Sequence, residues 1–172
     1  KEAYYLLGRI YYEGDGVSTD INKSIKYLKL ASDKNMAAAQ IFLSNIYYEG
    51  KKTPKDIKNA LHYLELAANQ NNKDAQYCLG IIYYQDLEVK QNMNKAIAYL
   101  TLAANQNHLG AQFVLSSIYY QGSSIQQNMS KSFHFLNMTA NNNNNTLPFV
   151  ISDEMKQLVS GMPKKAYEIW KS

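Results

Sequence analysis

Cysteine, proline, arginine and long apolar stretches are all scarce in this chain of 172 residues. A single cysteine excludes a disulfide-stapled fold, and 3 prolines with 8 glycines exclude a collagenous chain. No apolar run approaches the roughly 18 residues that span a bilayer, so we expect no membrane insertion. No basic-then-apolar leader opens the sequence. Because Lys1 is not a Met and a helical pattern is under way by Ala3, we expect a piece of a longer protein.

Positive charge is present but spread thinly. The formal net charge is +4, and the basic residues are 17 lysines and one arginine, Arg9. A surface that binds phosphates clusters its cations and favours Arg, so we expect no nucleic-acid partner. Apolar residues make up 46% of the chain, which excludes intrinsic disorder and predicts a folded domain.

The most informative feature is a repeat with a period of 36 residues. The tripeptide Ile-Tyr-Tyr starts at positions 10, 46, 82 and 118, and other columns keep the same phase. The clearest are an Ala, a Leu and a small-residue column: Ala3, Ala39, Ala75, Ala111; Leu7, Leu43, Leu79, Leu115; Gly8, Ser44, Gly80, Ser116. A period in this range is the signature of a solenoid.

Each repeat is predicted to form two helices. Apolar residues at a period of 3.6 mark one face of the first helix, and Gly14 ends it. Asp20 stands where the second helix needs an N-cap, and Asn35 where a left-handed residue follows it. Equivalents recur at Asp56, Asn92, Asn128 and at Asn71, Asn107, Asn143. We therefore expect eight repeat helices and no strands, with breaks near residues 14–19, 50–55, 86–91 and 122–127 and near Asn35, Asn71 and Asn107.

The small and aromatic columns predict how these helices pack. Small residues such as Gly8, Gly80 and Ala31 allow neighbouring helix axes to approach closely. Tyr11 and Tyr27 and their equivalents fill wider gaps, and Leu7 is expected in the core with the other members of its column. A single helix pair cannot bury both of its faces, whereas stacked pairs share one continuous core.

The first repeat carries a recognisable series: Ala3, Leu7, Gly8, Tyr11, the loop Gly14-Asp15-Gly16-Val17, Asp20, Lys23, Tyr27 and Ala31. It resembles the Sel-1-like repeat, a relative of the tetratricopeptide repeat. The resemblance implies an all-α, right-handed α/α superhelical solenoid of four helix pairs. It covers residues 1–145, in units of about 1–36, 37–72, 73–108 and 109–145. It also implies an adaptor or scaffold that assembles protein complexes.

The register fails in the last part of the chain. A fifth Ile-Tyr-Tyr is absent, and residues 141–145 form a low-complexity run of Asn. Residues 146–172 carry signals for two short helices, including Pro163 in the first turn of the last one. We expect a C-terminal helical cap, because terminal units of a solenoid must cover an open end. The alternative is a linker helix leading to another domain.

No catalytic or metal-binding constellation stands out. His62, His108 and His134 lack partners at metal-ligand spacing, and we expect ordinary surface or rim histidines, no metal and no cofactor. Cys78 falls in an apolar column with Leu6, Phe42 and Val114, and is expected to be a small buried hydrophobe. The chain is therefore predicted not to be an enzyme.

The compartment stays open at this point. Asn-x-Ser/Thr sequons occur at Asn22, Asn128, Asn137 and Asn144, about twice the number expected by chance. They favour a secretory setting without establishing it, so the endoplasmic-reticulum lumen and the cytoplasm both remain possible.

The resemblance also implies that the first helix of each pair lines the concave side. Two rows of aromatic or aliphatic residues would face this side, and we call them together the aromatic ladder. It comprises Tyr5, Ile41, Tyr77, Phe113 and Tyr12, Tyr48, Tyr84, Tyr120. Large, rigid, amphipathic side chains are typical of binding hot spots, with the middle units contributing most. The alternative is that the second Tyr of each pair only packs against the neighbouring unit.

These observations predict a non-catalytic interaction scaffold that binds a protein or peptide in this groove. Charge is scarce there, which favours an apolar segment or an amphipathic helix. Two other functions remain open: a structural subunit of a large assembly, or the interaction module of a larger enzyme.

Overall fold

The computed structural model describes residues 1–85, 89–122 and 125–142. Within these ranges the chain forms eight α-helices and no strand, as the repeat predicts. The helices are α1 (Glu2–Glu13), α2 (Ile21–Ser32), α3 (Ala37–Glu49), α4 (Ile57–Asn69), α5 (Lys73–Tyr84), α6 (Met93–Asn105), α7 (Leu109–Gln121) and α8 (Met129–Asn142). Each odd-numbered helix packs mainly against the even-numbered helix that follows it, giving four stacked pairs. The predicted cap at 146–172 lies outside the described residues, as do Asn143 and parts of the breaks predicted near 86–91 and 122–127.

The predicted turn residues adopt the left-handed backbone conformation. Asn35, Asn71 and Asn107, between consecutive repeats, have φ angles of 51°, 62° and 59°. Asn tolerates this region better than other residues that carry a Cβ, so the tight turn between repeats is confirmed. Gly14 ends α1 at φ 82°, and its backbone N–H donates to the Ile10 carbonyl.

The predicted N-caps of the even-numbered helices are also confirmed. In each repeat the cap oxygen accepts a hydrogen bond from the backbone N–H three residues later, at 2.9–3.0 Å. The caps are Asp20, Asp56, Asn92 and Asn128. The backbone N–H of the cap residue also donates to a tyrosine carbonyl near the end of the preceding helix, as Asp20 does to Tyr11 at 2.9 Å. The two bonds fix both ends of the loop within each repeat.

The core is a row of fully buried leucines and alanines along the stack. Leu43, Leu79 and Leu115 are 0% exposed, as are the alanines four residues before them. Their counterpart in the first repeat differs: Leu7 is 37% exposed. The prediction that Leu7 is a core residue is therefore wrong. Within the described residues no even-numbered helix precedes α1, and in the other repeats that helix covers this column.

One pair of stacked rings spans each repeat, from the odd-numbered to the even-numbered helix. The ring centroids lie 5.7–6.1 Å apart and the planes differ by 4–7°. The pairs are Tyr11–Tyr27, Tyr47–Tyr63, Tyr83–Tyr99 and Tyr119–Phe135. None of the four Ile-Tyr-Tyr tyrosines at these positions is fully exposed, which confirms that this column packs within the repeat.

The small column allows the two helices of a pair to approach closely. A Cβ built on Gly80 would lie 2.5 Å from the Cγ atom of Leu100, and one on Gly8 would lie 2.6 Å from Leu28 Cγ. Both distances are far below van der Waals contact, so the predicted packing role of these glycines is confirmed.

A column of buried glutamines, which the sequence analysis did not single out, connects successive repeats. Gln40, Gln76 and Gln112 are at most 2% exposed. Their Nε2 atoms donate to carbonyls at the end of the preceding even-numbered helix: Ser32, Ala68 and Ala104. The spacing of 36 residues between these glutamines was the signal that could have revealed them. Because buried polar groups need partners, this column fixes the register between repeats.

Candidate partner-binding face

The aromatic ladder lies on the four odd-numbered helices, with two members on each. All eight residues are half-buried: Tyr5 and Tyr12 on α1, Ile41 and Tyr48 on α3, Tyr77 and Tyr84 on α5, and Phe113 and Tyr120 on α7. Each residue therefore shares its surface between packing and solvent. Ladder residues come together where successive repeats meet. We call these places the first, second and third junctions, between repeats one and two, two and three, and three and four, and the three differ.

At the first junction an internal phenyl ring packs against the ladder. Phe42 of the second repeat contacts Tyr5 and Tyr12 of the first, with centroid separations of 6.3 and 5.1 Å. The interplanar angles of 79° and 74° make both contacts edge-to-face, the arrangement that aromatic quadrupoles favour. Tyr12 therefore packs against the next repeat and keeps part of its surface exposed.

A lysine covers the outer side of the same tyrosine. Lys52 Nζ lies 4.1 Å from the centroid of the Tyr12 ring and donates to the Tyr12 carbonyl at 2.7 Å. Tyr12 is therefore held by the ring of Phe42 and by the ammonium of Lys52. At the second junction Lys55 Nζ lies 5.1 Å from the Tyr48 centroid.

At the second junction an open groove takes the place of the internal ring. We call it the junction groove; its volume is about 260 Å³. Its lining comes from α3, α4, α5 and the residue after α5: Ser44, Asn45, Tyr48, Leu64, Tyr77, Cys78, Ile81, Ile82 and Gln85. None of these side chains is formally charged. Of the eight ladder residues, the groove brings together Tyr48 and Tyr77.

Cys78 lies in the groove and is not the buried hydrophobe that its column predicted. The residue is exposed, whereas Phe42 at the equivalent position is half-buried. Phe42 and Val114 of this column are large enough to pack against core clusters, whereas the smaller Cys78 stays exposed. The surrounding apolar atoms still desolvate the sulfur and raise the pKa of the Cys78 thiol. A raised pKa keeps the thiol neutral near pH 7 and makes it a weak nucleophile.

Tyr77 also contacts the turn that leads into the fourth repeat. Its ring stacks on His108 with a centroid separation of 4.3 Å. His108 Nδ1 accepts a hydrogen bond from the Ala111 N–H at 3.1 Å, and Nε2 lies 3.6 Å from Asp74 Oδ1. Burial lowers the pKa of His108, while Asp74 opposes the shift. His108 is thus the N-cap of α7, which the sequence analysis missed although Asn72 caps α5 from the same repeat position.

At the last junction a side chain of the same column packs against the core. Val114, the counterpart of Phe42 and Cys78, packs against the core of the third and fourth repeats together with Tyr77, Ile81 and Tyr84. Tyr84 also packs against the core of the preceding repeats. Tyr84 is therefore more deeply committed to packing than Tyr48, which no core cluster includes.

In the part of the chain that the structure describes, the other features that bear on function would be a second cleft, a metal site or a membrane-spanning helix. A more polar cleft of about 410 Å³ lies beside the loop before α8 and is lined by Tyr119 and Lys131 among others, but by no ladder residue. Among the residues at 1–85, 89–122 and 125–142, no three His, Cys, Asp or Glu side chains are grouped to hold a metal ion. Nor is any helix in these ranges long and apolar enough to cross a bilayer.

Comparison with known families identifies the repeat. The profile of the Sel1 repeat matches residues 1–36, 37–72, 73–108 and 110–144, which is most of the chain. No curated protein sequence is a significant match.

Two solved structures share the fold at modest identity. One is a protective antigen of uropathogenic Escherichia coli strains that displays an SLR fold, with 26% identity and a TM-score of 0.73 over 81% of this chain. The other is a Sel1 repeat protein from Oxalobacter formigenes, with 28% identity and a TM-score of 0.73 over 82% of this chain. The matched regions span only 30% and 41% of those two proteins.

Proposed function

Because the chain belongs to the Sel1 repeat family, whose members are generally protein-interaction modules, we propose that it is a non-catalytic adaptor that binds a partner through the aromatic ladder. The observation that carries this proposal is the junction groove, where Tyr48 and Tyr77 flank an uncharged opening of about 260 Å³. Clusters of half-exposed aromatic side chains next to a pocket are typical of interface hot spots.

The partner is a protein segment with an apolar face. Two pairs of charged groups near the ladder neutralise each other: Arg9 Nη2 lies 2.9 Å from Glu13 Oε1, and Lys51 Nζ lies 3.1 Å from Glu49 Oε2. Lys52 and Lys55 lie against the rings of Tyr12 and Tyr48 and add a modest positive charge beside a surface that is mainly apolar. Burial of apolar surface therefore drives the association, and its affinity depends weakly on salt.

Truncation of one ladder residue tests the proposal. Native pull-down with mass spectrometry identifies the partner, and its affinity is then measured for the native chain, Tyr48→Ala and Lys58→Ala. Hot-spot truncation costs about 2 kcal/mol or more of binding free energy, so Tyr48→Ala should weaken binding at least thirtyfold. Lys58 is exposed on α4 and serves as the control. Loss of binding in Lys58→Ala but not in Tyr48→Ala, with dissociation in moderate salt, would refute a contact through the ladder.

A second role, as a structural subunit of a larger assembly, would bury the apolar side of α1 that the described residues leave uncovered. Leu6 is 53% exposed and Leu7 is 37% exposed, so this end of the stack presents adjacent apolar side chains to solvent. In the inner repeats the Leu7 column is covered by a neighbouring helix. A partner that survives native purification and protects α1 from hydrogen exchange would support this role.

A further inference from the structure

The first junction shows what this face of the solenoid accommodates. Phe42 places a phenyl ring edge-on against Tyr12, at a centroid distance of 5.1 Å. The ring comes from the chain itself, so the solenoid geometry at this position is compatible with an aromatic side chain between successive odd-numbered helices.

The second junction keeps one of the two tyrosines that contact Phe42, since Ile41 stands at the position of Tyr5, and it lacks the phenyl ring. Tyr48 stands at the repeat position of Tyr12, and Cys78 stands at that of Phe42. Both line the junction groove, together with Tyr77 on the far wall. The substitution of a thiol for a phenyl ring accounts for the opening.

Size and charge restrict what can enter. The groove volume of about 260 Å³ exceeds the roughly 150 Å³ of an apolar protein cavity that accepts benzene. A charged side chain would lose hydration on entering and find no formal charge among the lining residues, so an uncharged ring is preferred. At the rim, Asn45 and Gln85 are exposed, and their amide groups can pair with the backbone of a bound segment.

We propose that the junction groove is a specificity pocket for one uncharged aromatic side chain of the partner segment, which takes the place that Phe42 occupies at the first junction. This inference rests on the proposed function and narrows it to one pocket and one kind of anchor. The adjacent junctions do not offer the same pocket, because Phe42 occupies the first and Val114 packs into the core at the third. The partner is therefore recognised in a fixed register along the ladder.

The test fills the pocket with a side chain of the protein itself. A displayed library of random 12-residue peptides is selected on the immobilised native chain, and the enriched peptides are measured against four proteins: native, Cys78→Phe, Tyr48→Ala and Lys58→Ala. We expect one aromatic residue to be common to the enriched peptides. Cys78→Phe should weaken their binding at least tenfold, because its ring occupies the pocket, whereas Lys58→Ala, outside the groove, should remain within about twofold. Thermal melts establish that each variant is folded.

A second measurement needs no variant. Cys78 is the only cysteine of the chain, so its reaction with Ellman's reagent reports on the groove alone. A saturating enriched peptide should slow this reaction at least tenfold if it occupies the groove. The same peptide with its aromatic residue changed to Glu should give no protection.

The outcomes separate this inference from the proposed function. If Cys78→Phe binds the peptides like the native chain and Tyr48→Ala weakens them, the ladder binds partners but the pocket does not anchor them. If neither variant matters and Lys58→Ala does, both proposals fail. The pocket proposal is wrong if the enriched peptides share no aromatic residue, or if they do not protect Cys78 from Ellman's reagent.

Discussion

The first repeat and the three later repeats place a leucine at the same position, yet they bury it differently. Leu7 is 37% exposed, whereas Leu43, Leu79 and Leu115 are 0% exposed. The difference arises between repeats, because the even-numbered helix of the preceding repeat covers the leucine column. The burial of this leucine column therefore depends on the stacking of repeats and not on one helix pair alone, as expected where each unit contacts only its neighbours.

The largest effect should come from truncating this leucine in an inner repeat. Leu79→Ala should lower the free energy of unfolding by about 2–5 kcal/mol, the range for fully buried leucines. Leu7→Ala removes the same atoms from a partly exposed site and should cost about 1 kcal/mol or less. Urea unfolding followed by circular dichroism measures both. Equal losses would show that α1 is covered as the inner helices are.

The second prediction concerns contacts within a repeat, which should not differ along the stack. A Cβ on Gly8 or Gly80 would lie 2.6 or 2.5 Å from the Cγ atom of the facing leucine. Gly8→Ala and Gly80→Ala should therefore destabilise the chain alike, by about 1–3 kcal/mol from overpacking.

The matched control for this pair is Ser44→Ala, at a position where the repeat already accommodates a Cβ. The melting temperature of Ser44→Ala should stay close to that of the native chain. Gly80→Ala could instead lower the free energy of unfolding much more than Gly8→Ala. The close approach within a helix pair would then depend on neighbouring repeats, and contacts within a repeat would not be independent of contacts between repeats.

The sequence predicted best the features that depend on local geometry within a repeat or at its end. The helix caps at Asp20 and Asn92, the left-handed Asn35 and the close approach at Gly80 depend on local geometry, which a periodic column reveals. Leu7 and Cys78 were predicted wrongly because their burial depends on a side chain or helix in another repeat. The junction groove could not be predicted for the same reason, since it results from one small residue opposite a ladder that is otherwise regular.

The third prediction uses the caps at the junctions between repeats. Asn72 caps α5, and His108 caps α7 by accepting from the Ala111 N–H at 3.1 Å. Accepting this bond requires an unprotonated Nδ1. The groups that face the ring are Tyr77, Asp74 and Lys73, and burial still lowers the pKa of His108.

Because this pKa lies below its unfolded value, folding favours the neutral ring. The stabilisation is fully present above pH 6.5, the ordinary His value, and is lost as the pH falls through the lower folded pKa. The loss should not exceed the roughly 1 kcal/mol that an N-cap contributes. His108→Asn keeps a cap without a titrating ring, so unfolding measured at pH 7.5 and 5 should show a smaller difference between the two pH values. An equal difference would assign the pH dependence to other groups.

The smallest effect concerns a lysine that three repeats share and the second lacks. Lys23, Lys95 and Lys131 place Nζ about 5 Å from the ring centroids of Tyr11, Tyr83 and Tyr119, whereas Asn59 occupies this position in the second repeat. An exposed cation–π contact contributes about 0.5–1 kcal/mol. Lys95→Met retains much of the apolar stem but loses the charge, and should destabilise the chain by no more than this amount. Lys58→Met, at an exposed lysine of the second repeat, is the control. If both changes give the same melt at low salt, the ammonium contributes nothing, and the second repeat differs from its neighbours in sequence but not in stability.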